Sequence, residues 1–317
     1  MRLSDVLDQV RLSVEDKSSA HWGDDTIIRQ VDVQTYRIAR RLVDVDEGYL
    51  SVRLDIDATA AIARHTNVFT YKLPWWSMKV AEVRERGTTN QARGRLIRKG
   101  YKFDEDEPGR WRYTDKNAIS LEGFSAAQDL SLVIAKRPAR LTRGTLPDQA
   151  SITTSQLRLD VDTSTDALKH PHEKEANSYA GSLFEITGLD SATHLVSGQI
   201  RQAASSAHLQ VFGSTIHTVL TFEEAWTVTP IAADTYEMHA EVPDEHMRLV
   251  VLLTASALLS HEGNKDAVAG LGRELSEEWR LFITHVNNRD IQEPKVMVES
   301  YGGSSSAQRQ YRSLEES

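Results

Sequence analysis

The chain contains no cysteine, and this absence excludes several kinds of site at once. Disulfide bonds, thiolate zinc sites and cysteine nucleophiles all need a residue that the sequence lacks. Aromatic residues make up only 7% of the 317 residues, and proline occurs only 8 times. The hydrophobic fraction of 40% is nevertheless ordinary for a globular protein, so we expect a sizeable core.

Long apolar runs and an excess of positive charge are also missing. The longest apolar run, residues 249–259, is too short and too interrupted to span a bilayer, and no secretory signal is recognisable at the N-terminus. We therefore predict a protein that is made in the cytoplasm and does not associate with membranes. The formal net charge of −9 argues against a dedicated nucleic-acid binder, because such affinity comes mainly from basic groups on phosphates.

Sequence motifs for nucleotide binding, serine nucleophiles and zinc proteases are absent. His170, His172 and Glu173 form the only His/acid cluster in the sequence with residue types typical of a metal site. The two-residue spacing can chelate, but the cluster lies in a polar connector with no obvious third ligand nearby, and a zinc ion needs three or four ligands. We interpret this cluster as a solvated loop, and the basic stretch 84–102 as a solvated hairpin that pairs with the acids at 104–107. We predict no catalytic residues, no cofactor and no metal, hence no enzyme.

Helical periodicity occurs at both ends of the chain. Ser4 is a candidate N-cap for a first helix with Val6, Leu7 and Val10 on one face, and Asp24 begins a second helix. Near the C-terminus, residues 247–261 and 265–285 are predicted as two helices joined at Gly263 and Asn264. Between these pairs the apolar residues alternate with polar ones, as in half-buried strands.

These patterns predict an α+β fold in which the N- and C-terminal helices form one helical bundle, with an antiparallel β region and an inserted β domain looping out of it. The expected divisions are N-terminal helices 1–48, β region 49–149, inserted β domain 150–242, C-terminal helical hairpin 243–290 and an extended tail 291–317. The tail holds few apolar residues among Ser, Gly, Gln and Glu, and such a composition cannot offset its own ordering entropy. We therefore expect a partner to order it.

Three groups of residues resemble one known family, the head-to-tail adaptor (connector or neck) proteins of tailed bacteriophages. The first is the opening helix pair, in which Trp22, Gly23 and Asp24 resemble the turn that starts the family's second helix. The second is the series of short central strands, and the third is the closing hairpin around residues 258–264. Residues 197–237 also resemble a β insertion seen in some neck and tail proteins, which makes this chain larger than simple adaptors.

The resemblance implies a structural virion protein in the neck between capsid and tail. It implies a homo-oligomeric ring, dodecameric in such assemblies, which binds the portal protein and other tail or neck proteins and encloses a channel. DNA would pass through that channel during ejection without specific binding. The tail would dock into the portal, with these residues as its contacts: Val296, Val298, Tyr301, Tyr311 and Leu314.

Two other functions are compatible with the sequence. One is a carbohydrate-binding tail or baseplate module, in which Trp226 of the inserted β domain would stack on a sugar, although its place among alternating strand residues favours a core position. The other is an enzyme that acts on cell-wall polymers, against which stands the lack of a recognisable nucleophile, metal or paired-acid constellation.

Overall fold

The computed structural model describes residues 1–16, 21–45, 49–86, 95–100, 109–115, 117–147, 149, 153–160, 177–188, 198–212, 215–232 and 234–292. The α-helices in these ranges are α1 (Leu3–Ser13), α2 (Asp24–Val45), α3 (Asp244–Glu262) and α4 (Lys265–Gln292). The first strands are β1 (Ser51–Ile56), β2 (Ile62–His65), β3 (Val68–Lys72), β4 (Ser77–Glu85), β5 (Arg98–Lys99), β6 (Arg110–Asp115) and β7 (Ala118–Glu122). The remaining strands are β8 (Leu130–Lys136), β9 (Arg143–Thr145), β10 (Gln156–Asp160), β11 (Leu183–Gly188), β12 (Ile200–Phe212), β13 (Thr215–Phe222) and β14 (Thr235–Met238).

The predicted fold class was wrong. Within the described ranges the protein is mostly β, with 14 strands in three sheets and 4 α-helices, rather than a helical bundle that carries β segments. The error has a physical cause: the period of an alternating pattern shows that a strand exists, but it does not show which strands pair. Here distant strands join into a sheet large enough to cover the helices, so the helices pack on a sheet as well as on one another.

The largest sheet has six strands in the order β10-β13-β12-β11-β14-β9, and every neighbouring pair is antiparallel. Its edge strand β9 pairs with β14 through Thr145 opposite Thr235, across the boundary that we predicted at 149/150. The sheet therefore combines a short strand from the central region with the strands of the expected insertion.

One large core lies between this sheet and the helical layer. Both partners contribute to it, as shown by fully buried side chains on α1, α2, α3 and the strands: Leu3, Val6, Val10, Ile27, Val31, Ile38, Leu42, Leu157, Phe184, Ile186, Leu220, Met238, Val250 and Val251. The helices lie where their periodicity predicts, which confirms that part of the sequence analysis. The prediction that Ser4 is the N-cap was wrong. The N-cap residue of α1 is Arg2, and the Arg2 side chain makes no capping hydrogen bond.

The other two sheets enclose a second, smaller core. They have the orders β1-β8-β4 and β2-β3-β7-β6-β5, and all their neighbours are antiparallel except the short pair β5–β6. The core side chains between them are Tyr71, Leu73, Val80, Val83, Ile97, Trp111, Ile119, Leu121, Leu130, Leu132 and Ile134. The described residues thus form two hydrophobic cores, and the helices contribute to the larger one.

The two C-terminal helices form a tight antiparallel hairpin. Gly263 ends α3 in the left-handed conformation (φ 77°), and its N–H and that of Asn264 bond to the last carbonyls of α3. The side chain of Asn264 then accepts a hydrogen bond from the N–H of Ala267 (3.1 Å), which caps α4. In the described part of the chain, no helix is long and apolar enough to cross a membrane.

Candidate functional site

The outer face of α4 is a long helical surface that the described part of the subunit leaves uncovered. The helix has 28 residues and is about 42 Å long at 1.5 Å per residue. Over residues 265–287, where side chains are described, only Phe282 and Val286 are buried, and Leu281 is 56% exposed. Near its start, a side chain added at Gly270 or Gly272 would meet no atom within 4 Å. Another chain can therefore approach this part of the helix closely.

The charges on this face are mixed in sign. Arg248 of α3 donates to Glu274 at 2.6 Å, and Arg273 lies 3.9 Å from Glu277, with all four side chains largely in solvent. Exposed pairs of this kind contribute little to stability, so they remain available to re-pair across an interface. The surface suits a polar contact with another protein better than binding to a polyanion.

The predicted docking residues Val296, Val298, Tyr301, Tyr311 and Leu314 lie outside the described residues. The same holds for His170, His172 and Glu173, for the acids at 104–107 and for residues 87–94 and 101–102 of the basic stretch; of its described residues, Arg84 pairs with Glu82 and Arg86 with Asp57 (2.8 Å). Their proposed roles therefore stay predictions. What the structure adds is the position from which the tail departs, since α4 leads the chain directly to Gln292.

The N-terminal residues are fixed to the sheet by buried acids. Arg2 donates two hydrogen bonds to Glu185 of β11, at 2.6 and 2.9 Å, and His239 lies 2.8 Å from the same carboxylate. Ser4 donates to Glu237 of β14 through both its N–H (2.9 Å) and its hydroxyl (3.2 Å). Glu185 and Glu237 are almost fully buried, so α1 supplies the donors that these acids need inside the protein. These contacts explain why Ser4 does not cap its own helix.

A second buried polar group, the Lys136 cluster, consists of Lys136, Ser178, Ser182 and Glu241. The Lys136 Nζ donates to Glu241 Oε1 (2.9 Å), Ser182 Oγ (3.1 Å) and the Ser178 carbonyl (3.3 Å). Ser182 in turn donates to Glu241, whose second oxygen accepts from the Ala139 N–H at 2.8 Å. The cluster joins the end of β8 in the three-stranded sheet to the segments that precede β11 and α3.

Some hydrolytic enzymes also place a lysine beside a nucleophilic serine. In those enzymes the neutral amine of the lysine removes the proton of the serine hydroxyl. In this protein Ser182 is 0% and Lys136 1% exposed, so no substrate reaches the hydroxyl. The lysine Nζ is also engaged by Glu241 Oε1 at 2.9 Å and by the Ser178 carbonyl at 3.3 Å, so it is held by two partners besides the serine. The Lys136 cluster therefore has a structural role: it links the end of β8 to the segments that precede β11 and α3.

Sequence analysis missed a third group, the His cluster, which comprises Glu245, His246 and His285. One ligand atom from each residue lies within 4.8 Å of the other two. Glu245 and His246 are on the first turn of α3, and His285 is near the end of α4. The sequence contains a signal that could have revealed this cluster. In a tight antiparallel helical hairpin, residues at similar distances before and after the turn face each other. His246 and His285 lie at roughly similar distances from the turn at Gly263 and Asn264.

Trp226, the possible sugar platform, is 2% exposed and packs edge-on against Phe222 with a ring-centroid distance of 5.1 Å, so the prediction of a core position is confirmed.

Tyr71 lies in the smaller core, where its hydroxyl donates to the Gln128 carbonyl (2.7 Å) and accepts from the Gln128 N–H (2.8 Å). Burial raises the pKa of Tyr71, and the charge of Asp129 raises it further, while the Gln128 hydrogen bond opposes both.

Comparison with known proteins does not identify a family: no protein-family model matches the chain, and no curated protein matches it.

Proposed function

We propose that this protein is a structural component of a tailed-phage virion, a head-to-tail adaptor whose subunits form a ring between portal and tail. The proposal assigns it no catalytic role and no cofactor. The observation that carries it is the packing of the N- and C-terminal helices in one layer, in which a long helix, α4, is largely exposed over residues 265–287 and leads to the tail at Gln292. This arrangement combines with the resemblance of the opening helices and closing hairpin to the adaptor family.

The convergence of the chain ends rests on specific contacts. The N-terminal ammonium group of Met1 lies 2.7 Å from Asp244 at the start of α3, and the Ala240 N–H donates to the Met1 carbonyl at 3.1 Å. Helices from residues 1–45 and 244–292 therefore occupy one layer, although some 200 residues of β structure separate them in sequence. An adaptor needs such a layer because its helices must pack side by side with those of the next subunit.

The exposed face of α4 offers a surface for that lateral packing. A stable contact between two proteins buries about 800 Å² on each partner. A helix about 42 Å long and about 10 Å wide presents roughly half of that area, and the remainder would come from neighbouring elements. Leu281 is an exposed apolar residue on this helix, and Gly270, which lies on the same side of the helix about three turns earlier, permits close approach of a neighbouring backbone.

The extended tail, predicted at residues 291–317 and shortened to 293–317 because α4 continues to Gln292, is proposed as the arm that docks into the portal. Its composition favours order only on a partner, and the apolar residues at Val296, Val298, Tyr301, Tyr311 and Leu314 are its proposed anchors. The net charge of −9 is consistent with a channel that lets DNA slide through without sequence-specific contacts. No observation on the described residues favours the carbohydrate-binding alternative, because Trp226 is buried.

The proposal is tested by co-expression of the whole chain with portal and neck proteins of the same phage. We expect native mass spectrometry and electron microscopy to show rings that bind the portal. Replacement of the five proposed anchors by serine, and deletion of residues 293–317, should each leave a folded subunit that no longer binds the portal. The matched control replaces Ser304, Ser305 and Ser306 by alanine, which leaves the anchors intact and should leave portal binding intact.

Two results would contradict the proposal. One is a chain that stays monomeric in the presence of portal and neck proteins. The other is portal binding that survives deletion of the tail, which would refute the docking arm while leaving a ring possible. Selective hits on a glycan array would instead favour the carbohydrate-binding module.

A further inference from the structure

Three potential metal ligands converge where the first turn of α3 meets the last part of α4. The Glu245 Oε1 lies 3.4 Å from the His285 Nε2 and 3.7 Å from the His246 Nε2. All three ligand atoms lie within 4.8 Å of one another. Two helices therefore place two imidazole nitrogens and one carboxylate oxygen around a common point.

These separations match the geometry of a tetrahedral metal site. With metal–ligand bonds of about 2.0–2.1 Å, neighbouring ligand atoms are about 3.3–3.4 Å apart. The two distances from Glu245 are already close to this value, and rotation of the imidazole rings can adjust the third. We propose that Glu245, His246 and His285 bind one divalent transition-metal ion, of the class of Zn²⁺, Co²⁺ or Ni²⁺. Two imidazoles favour this class over Mg²⁺ and Ca²⁺, which prefer oxygen ligands alone.

The surroundings of the His cluster also suit a bound ion. The two imidazole rings stand perpendicular with their centroids 4.8 Å apart, and Phe282 packs against His246 with a centroid distance of 5.0 Å. The His285 Nε2 atom is buried and makes no hydrogen bond within the described part of the chain. The cluster borders a cavity of about 350 Å³, whose other lining residues include Leu249 and Glu278. The cavity gives room for a fourth ligand, either water or the Glu278 carboxylate.

A metal ion here would fasten α4 to α3 at the end of the hairpin opposite the turn. The burial of Phe282 and Val286 also holds this part of α4 against the rest of the subunit. The ion would therefore limit the motion of α4 just before Gln292, its last residue. This inference concerns the hairpin itself and does not depend on the proposed function.

The experiment uses the whole chain, treated with a chelator and then dialysed. Titration with ZnCl₂ in a calorimeter should show one ion bound per chain, and saturation should raise the thermal midpoint by several degrees, since an ion that binds only the folded state stabilises it. Titration with CoCl₂ should give the visible absorption of four-coordinate Co²⁺ with nitrogen and oxygen ligands.

Substitutions locate the ion. His285→Gln and Glu245→Gln change partly exposed side chains, so both variants should keep the wild-type circular dichroism. Each should weaken zinc binding by more than about tenfold, because even the loss of a residue that only orients a metal ligand costs about 10–100-fold. The matched control is the double variant His170→Gln/His172→Gln, which removes the other candidate chelate and should bind zinc as the wild type does. His65→Gln, an exposed histidine on β2, should also be without effect.

The proposal is overturned by either of two results. In one, neither calorimetry nor the cobalt spectrum detects binding. In the other, binding survives in both His285→Gln and Glu245→Gln but is lost in His170→Gln/His172→Gln, which would place the ion in the segment around residue 170. If one of the two cluster variants failed to fold, the other would decide the outcome alone.

Discussion

Replacement of Lys136 by methionine should destabilise the protein by about 3–5 kcal/mol, which is the usual cost of removing one partner of a buried ion pair. Methionine keeps the length and most of the volume of the lysine stem, so the change isolates the ammonium group. Lys136 is 1% exposed, and Glu241 would remain buried without its positive partner.

The magnitude follows from the geometry. At the 2.9 Å separation between Nζ and Oε1, the attraction of two unit charges is about 6 kcal/mol for an effective dielectric constant of about 20. The desolvation of both ions offsets part of this attraction. Glu241 also keeps two donors in the variant, the Ala139 N–H and the Ser182 hydroxyl, which limit the cost of leaving the carboxylate buried. The expected loss is therefore below the full attraction.

Urea unfolding followed by circular dichroism measures the loss, and Lys72→Met is the matched control. Lys72 is an exposed lysine on β3, so its replacement should change the free energy of unfolding by no more than about 0.5 kcal/mol. The double variant Lys136→Met/Glu241→Gln removes both charges and keeps an acceptor for the Ala139 N–H, so it should recover at least half of the loss. A cost below about 1 kcal/mol for Lys136→Met, or a double variant no more stable than the single one, would refute the reasoning.

Two further substitutions and one pH effect follow from the same structure. Gly263→Ala should destabilise the subunit by about 1 kcal/mol, because φ is 77° there. Gly270→Ala, in the second turn of α4 with no atom within 4 Å of the added carbon, should instead stabilise it by about 0.5–1 kcal/mol; thermal unfolding of the free subunit checks that the signs are opposite. Because burial raises the pKa of Tyr71, its contribution to stability is complete below the unfolded value of about 10 and is lost as pH rises through the folded value. Tyr71→Phe should be less stable than the wild type at pH 7, through loss of the two Gln128 hydrogen bonds, and this difference should shrink above about pH 10; urea midpoints measured across the alkaline range would contradict this if the difference stayed constant.

The elements of this fold were predictable from sequence where one local pattern determines them. The apolar spacing of α1 and α2, the Gly263–Asn264 turn and the alternation in β1 each depend on residues within a few positions, and the structure has these elements. The buried position of Trp226 was also predictable, because it follows from the alternation around it.

The pairing of distant segments could not be predicted in this way. β9 has three residues and no distinctive pattern, yet it closes the edge of the six-stranded sheet against β14. The partners of Arg2 and Ser4 are acids on strands more than 180 residues away, and nothing near either residue specifies them. Local periodicity therefore indicated helices that pack on each other, whereas the long-range pairing built the sheet that they pack on.

The His cluster was predictable from the sequence only in part. Each residue alone is unremarkable in sequence, since an acid in the first turn of a helix is common and a histidine near the end of one is favoured by the helix dipole. Only the antiparallel register imposed by the turn at Gly263 brings Glu245 and His246 near His285. Reading opposite positions of a predicted hairpin together would have found this cluster, whereas reading each helix separately could not.

The two ends of the chain depend on the rest of the molecule in opposite ways. α1 is held by Glu185, Glu237 and the start of α3, so it can complete its contacts only after the six-stranded sheet and α3 have come together. Contacts between residues so far apart in sequence form at a high cost in chain entropy, so we predict that this closure is a late event in folding, which φ-values near zero for substitutions at Arg2 and Ser4 would support. The N-terminal helices are therefore part of the cooperative fold and could not serve as a separable arm. At the other end, α4 buries only Phe282 and Val286 over residues 265–287, and it ends at Gln292. If one end of the subunit is free to bind a partner without loss of the fold, it is the C-terminal end.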